Sequence, residues 1–159
     1  MSLEDLLKLV SSHPSVRLNL DMKEYTAVRE MSQLVTRSGM ASRVLLTGVT
    51  SDAASKVQRG AEGLPYLLNA EPSPRQCLTA SGASALARTI RALGALGLNV
   101  HHRFITRRLA RSLSADGLSV SVWTVDSARG MRRMLRLPVD NVTTRRVDQM
   151  LALRGGMVP

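Results

Sequence analysis

The feature that most constrains this chain is a rhythm: strand-like and helix-like segments alternate from one end to the other with almost no interruption. Ser2 with Asp5 three residues on reads as a capping box, and Leu3, Leu6, Leu7 and Val10 recur behind it at helical spacing, so the chain is expected to open with a helix. From Val16 to Lys23 the period drops to two. Val16, Leu18, Leu20 and Met22 alternate with Arg17, Asn19, Asp21 and Lys23, which predicts a strand with one polar face. A helix follows over about 24–37, then a strand near 43–47, a short helix over 51–58 and a strand over 64–68. A loop containing Pro72 and Pro74 leads to a helix over 80–96 and a strand over 98–101. The last units are a helix over 106–113, a strand over 118–125, a helix over 127–135, a strand over 139–144 and a final helix ending near Leu153.

A parallel partner cannot be reached by a tight turn, so strands alternating with helices predict parallel strands joined by right-handed crossovers. About six such strands make either an open doubly wound sheet or part of an eight-stranded barrel. A complete barrel usually takes roughly 250 residues, and this chain has 159. A nucleotide-binding doubly wound fold would need glycines after its first strand, where this chain has Lys23-Glu24-Tyr25-Thr26. The expected fold is therefore α/β, a partial TIM-type (β/α) barrel of about six parallel strands. No composition shift or low-complexity segment divides residues 1–159, which read as a single domain.

Of the residues, 44% are hydrophobic but only Tyr25, Tyr66, Phe104 and Trp123 are aromatic, so the core must come mainly from aliphatic side chains and methionine. The net charge of +10 is carried almost wholly by arginine, since Lys8, Lys23 and Lys56 are the only lysines. Arg129, Arg132, Arg133 and Arg136 fall at helical spacing, and Arg107, Arg108 and Arg111 form a second group. Such faces attract phosphates, nucleic acid or anionic lipid headgroups, and they make a non-catalytic binding module for nucleic acid or other polyanions the rival function. Two considerations oppose it: every helix around an α/β core must show a polar face to water, and few aromatics are available to stack on bases. Cys77 is the lone cysteine, which excludes a disulfide framework and a cysteine zinc site. Acidic residues stand at the N-terminus where a secretory signal would be basic, and no stretch is long enough to span a membrane. A cytoplasmic location is the expectation.

In α/β folds of this kind ligands collect at the C-terminal ends of the strands. The residues there are Asp21 and Lys23, Thr47, Asn69, His101, Trp123 with Asp126, and Thr143 with Thr144. Asp21 and Lys23 lie two apart on one strand and so point the same way, into the space the strands surround. A carboxylate beside an ammonium can offer oxygen to a divalent metal and nitrogen to a phosphate, or it can be a plain structural ion pair. Other motifs are incomplete. Gly82-Ala83-Ser84-Ala85-Leu86 lacks the second glycine of a nucleophile elbow, and the sequon Asn141-Val142-Thr143 falls in an expected inner strand.

The stretch Gly117-Leu118-Ser119-Val120-Ser121-Val122-Trp123-Thr124-Val125-Asp126, followed by a helix and Pro138-Val139-Asp140-Asn141-Val142, resembles the last two strands of the glycerophosphodiester phosphodiesterase family. Arg17 to Lys23 is similar to that family's third strand, and Ser2 to Leu7 to the helix before it. The resemblance implies a barrel that uses a divalent metal, calcium or magnesium, to hydrolyse glycerophosphodiesters to an alcohol and glycerol 3-phosphate. Asp21 would be a metal ligand where the family usually has glutamate, Lys23 would meet the phosphate, and Trp123 would wall the substrate pocket. Thr143-Thr144-Arg145-Arg146 departs from the family's usual ending of the final strand. The family's catalytic histidines and remaining acidic ligands belong to its first two strands, which have no counterpart here, and His101 and His102 come four strands too late to replace them. The expectation is an incomplete domain, inactive alone, whose open sheet edges favour self-association or a complementary fragment.

Overall fold

Ser2 caps α1 (Leu3–Ser11) as its spacing predicts: its hydroxyl accepts from the Asp5 amide at 3.1 Å, and the Asp5 carboxylate accepts from the Ser2 amide at 3.0 Å. This helix opens a computed structural model that describes residues 1–156. The strands are β1 (Leu18–Asp21), β2 (Val44–Val49), β3 (Tyr66–Asn69), β4 (Gly97–His101), β5 (Ser119–Trp123) and β6 (Asn141–Val142). Between them run α2 (Val28–Arg37), α3 (Ala54–Gly60), α4 (Pro74–Leu78), α5 (Ala80–Ala92), α6 (Arg107–Ala115) and α7 (Ala128–Met134), and α8 (Val147–Gly155) closes the chain's described part.

All pairings are parallel, and the strands stand side by side in sequence order from β1 to β6. A doubly wound sheet reverses direction once and puts helices on both faces. Here there is no reversal, so every crossover turns the same way, the helices line one face, and the sheet curls into a half-barrel with an open concave side. The alternation along β1 makes the two faces plain: Leu18 and Leu20 pack toward the helices, whereas Asn19 and Asp21 are exposed on the concave side.

The core lies between sheet and helices. Leu46, Val49, Leu68, Leu98, Val100, Val120 and Val122 are buried against Val35, Ile90, Leu109, Leu113, Met131 and Met134. Aliphatics and methionine dominate it, as the four aromatics require. Arg43 ties the N-terminal unit down: its guanidinium donates to the carbonyls of Val10 at 2.7 Å, His13 and Val16. That clamp fixes the loop feeding β1 against the start of β2.

One departure from the sequence-based expectation has a local cause. Residues 74–78 form a helix rather than a loop, because Ser73 and Gln76 make a capping box and Pro74 takes the first helical turn, where its missing amide costs nothing. The last strand is short. β6 has only two residues, being held from one side only, whereas β1 stops at Asp21 with four residues, as many as the interior β3.

Candidate functional site

At the C-terminal ends of the strands the concave side deepens into a cleft of about 270 Å³. Asn19, Asp21 and Lys23 line it from β1 and the turn after it, Thr47 and Gly48 from β2, Asn69 from β3, Asn99 from β4, Trp123 from β5 and Thr143 from the chain after β6. The structure thus gathers Asp21, Lys23, Thr47, Asn69, Trp123 and Thr143 from the strand ends singled out in the sequence. His101 is not part of the lining. Its ring meets Trp123 edge-on, with centroids 5.1 Å apart, and it accepts the Arg103 amide at Nδ1.

The site is built on pairs that bridge neighbouring strands. Thr47 Oγ1 donates to Asn19 Oδ1 at 2.9 Å and lies 3.3 Å from Asp21 Oδ1, so β2 fixes both polar side chains of β1. Asn99 donates its amide to Asn69 Oδ1, joining β3 to β4, and Asn141 donates to Ser121 Oγ at 2.9 Å, joining β5 to β6. Asn19 and Asn99 escaped the strand-end list because they sit two residues back from Asp21 and His101 on the same face. Strand periodicity of two is the signal that finds them.

Gly48 was also missed, and the site depends on it. Its φ is +76°, and a Cβ placed there would strike the Met22 carbonyl oxygen and the Asp21 carboxylate. β2 can therefore approach the end of β1 closely only with glycine here. Tyr25 reinforces the approach, its hydroxyl donating to the Gly48 carbonyl at 2.6 Å.

Lys23 Nζ lies 2.5 Å from Asp21 Oδ2. The pair is on the rim and not enclosed: the lysine side chain is 82% and the aspartate 48% exposed. Lys23 stands two residues beyond the end of β1 and folds back to its partner. The hydrogen bond to Asp21 holds the ammonium's pKa above its ordinary value, so the group is cationic throughout the physiological range. Trp123 brings an apolar wall and an unused donor, since its Nε1 is shielded from solvent and has no hydrogen-bond partner. An unpaired buried N–H of this kind costs free energy.

The chemistry of the donors also decides what the cleft can hold. Apart from Asp21, its oxygens come from amides, hydroxyls and carbonyls, and no group of three His, Cys, Asp or Glu side chains gathers anywhere among the described residues. Divalent cations are held by oxygen cages rich in carboxylates. One carboxylate already engaged by an ammonium does not fit a divalent ion held by these residues alone.

The family model for the glycerophosphoryl diester phosphodiesterase family matches residues 3–149. The chain belongs to that family. The glycerophosphoryl diester phosphodiesterase fold recurs in solved structures. One from Agrobacterium tumefaciens strain C58, provisionally described as a glycerophosphoryl diester phosphodiesterase, shares 24% identity at a TM-score of 0.79, over 98% of this chain and 64% of its own. A glycerophosphodiester phosphodiesterase from Parabacteroides distasonis shares 20% identity at 0.75, over 98% of this chain and 65% of its own. An Oleispira antarctica phosphodiesterase in complex with the product sn-glycerol-3-phosphate shares 15% at 0.73, over 96% and 60%. The chain thus spans less than two thirds of the length of these structures. No curated protein matches it.

Proposed function

We propose that this chain forms one wall of a glycerophosphodiester phosphodiesterase site, the wall that binds the phosphodiester, and that it does not turn substrate over alone. The observation that carries the reading is the cleft at the strand ends, where Lys23 is held by Asp21 and Trp123 lines the same cleft from β5. In that cleft the Lys23 ammonium neutralises a phosphate oxygen, Asp21 orients the lysine, and Trp123 supplies the apolar wall against which a glycerol or alcohol carbon chain rests.

Hydrolysis needs more than this. General acid–base catalysis requires a titratable group within hydrogen-bond reach of the reacting atoms, and no histidine lines the cleft among the described residues. Asp21 serves as a metal ligand only when further carboxylates join it. Such groups would arrive with strands added at the edges, because β1 and β6 each present an unpaired row of backbone donors and acceptors. Further strands of the same polypeptide, a complementary fragment or a second copy would each supply them.

The test is calorimetric titration of the purified chain with sn-glycerol 3-phosphate, alongside an assay for its release from glycerophosphocholine. Binding without release supports the reading, as does a loss of about 10- to 100-fold in affinity for Lys23→Met, the worth of one charge-assisted hydrogen bond. Affinity unchanged in Lys23→Met, or turnover by the chain alone, contradicts it.

A further inference from the structure

Charge is segregated along the barrel wall. Residues 1–74 carry eight basic and eight acidic side chains, whereas residues 75–136 carry eleven arginines and only Asp116 and Asp126. The second segment thus holds +9 of the chain's net +10. It forms β4, β5 and the helices α4 to α7, and because the strands stand in sequence order these helices lie side by side on the convex face. All eleven arginines are exposed. Among the described residues only Arg91 of this group has a carboxylate partner, Asp116 at 3.3 Å, and Arg133 instead donates to the carbonyls of His102 and Ile105.

A helix face that is merely solvated mixes its charges, as α1 does by pairing Lys8 with Glu4. The face over α5, α6 and α7 does not. Unpaired like charges repel one another and destabilise a compact state, so a one-signed field of this size suits an anionic partner that would relieve it.

We propose that the convex face of α5, α6 and α7 is a docking surface for an anionic lipid bilayer. Two observations favour a bilayer over nucleic acid. No aromatic residue lies on α5, α6 or α7, so bases have nothing to stack on. Leu78, 63% exposed, adjoins the basic group: Thr106, the cap immediately before Arg107 and Arg108, donates to the carbonyl of Cys77. An exposed leucine among arginines inserts into the boundary of a bilayer and does nothing for a phosphate backbone in water.

The proposal rests on charge placement and is independent of catalysis, so its test involves no turnover. Co-sedimentation of the full chain is measured with phosphatidylcholine vesicles, with and without phosphatidylglycerol, over a range of salt. Two triple variants are compared: Arg108→Glu, Arg111→Glu and Arg132→Glu on the proposed face, and Arg29→Glu, Arg37→Glu and Arg59→Glu on the neutral half. Both lower the net charge equally, and circular dichroism checks that each folds. The expected result is binding only to vesicles containing phosphatidylglycerol, weakened by salt, reduced by at least about 100-fold in the first variant and within about fivefold of the parent in the second. Equal binding to both kinds of vesicle overturns the proposal, as does an equal loss in the two variants. Tighter binding to duplex DNA than to the anionic vesicles at matched salt also overturns it, reassigning the face to nucleic acid.

Discussion

At the scale of single residues, the cleft is held by groups whose roles differ in kind. Gly48 makes room. Gly48→Ala puts a β-carbon at φ +76° against the Met22 carbonyl and the Asp21 carboxylate. We expect a loss of about 1–3 kcal/mol in urea unfolding, with weaker ligand binding because the end of β1 must move. Arg43 anchors. Arg43→Ala strips donors from the carbonyls of Val10, His13 and Val16, and the expected cost is again about 1–3 kcal/mol, read from the same unfolding curve. His102 gives a pH dependence. Burial, followed by its neighbours His101, Arg103 and Arg133, pushes its pKa below the ordinary 6.5. The folded state then binds the proton less readily than the unfolded chain, so stability is present above pH 6.5 and falls as the pH drops through that value. His102→Gln should flatten that slope when thermal midpoints are compared across pH, and an unchanged slope would assign the pH dependence elsewhere.

At the scale of elements, what the sequence discloses is what depends on local pattern. The period-two run around Asp21, the capping box at Ser2 and Asp5, and the strand carrying Trp123 are all readable because each is written in consecutive residues. Long-range geometry is not written that way. Nothing near Gly48 in the chain announces that the turn after Asp21 will press against it, and nothing near Asn69 announces Asn99, thirty residues away. The exposure of the Asp21–Lys23 pair was equally hidden, since periodicity gives direction but not depth. α4 differs in kind: Ser73, Pro74 and Gln76 spell out a helix start locally, although Pro72 and Pro74 together also suit a loop. Ser73→Ala should cost about 1 kcal/mol by removing that cap, measured as a shift in the denaturation midpoint.

At the scale of the whole molecule, six strands in sequence order leave two edges and an open bowl. Exposed edges are managed in natural sheets by shortening, charge or cover, and here shortness is visible at β6, with two residues, but not at β1, whose four match the interior β3. Reversible association that rises with concentration is expected in sedimentation velocity, and a strictly monomeric chain across the accessible range would mean that the edges are already blunt enough. The molecule's two halves are also expected to behave differently toward polyanions, since the charge sits over β4 and β5 and not over β1 and β2.

The central claim is that the strand-end cleft receives a glycerol phosphate between Lys23 and Trp123. Trp123 is the only tryptophan, so its indole N–H gives one unambiguous signal in a nitrogen–proton correlation spectrum. Titration with sn-glycerol 3-phosphate should move that signal together with the amides of Asp21, Lys23 and Gly48, and Lys23→Met should abolish the movement at the same ligand concentration. An indole signal that stays fixed while ligand binds, or that moves equally in Lys23→Met, would contradict the account.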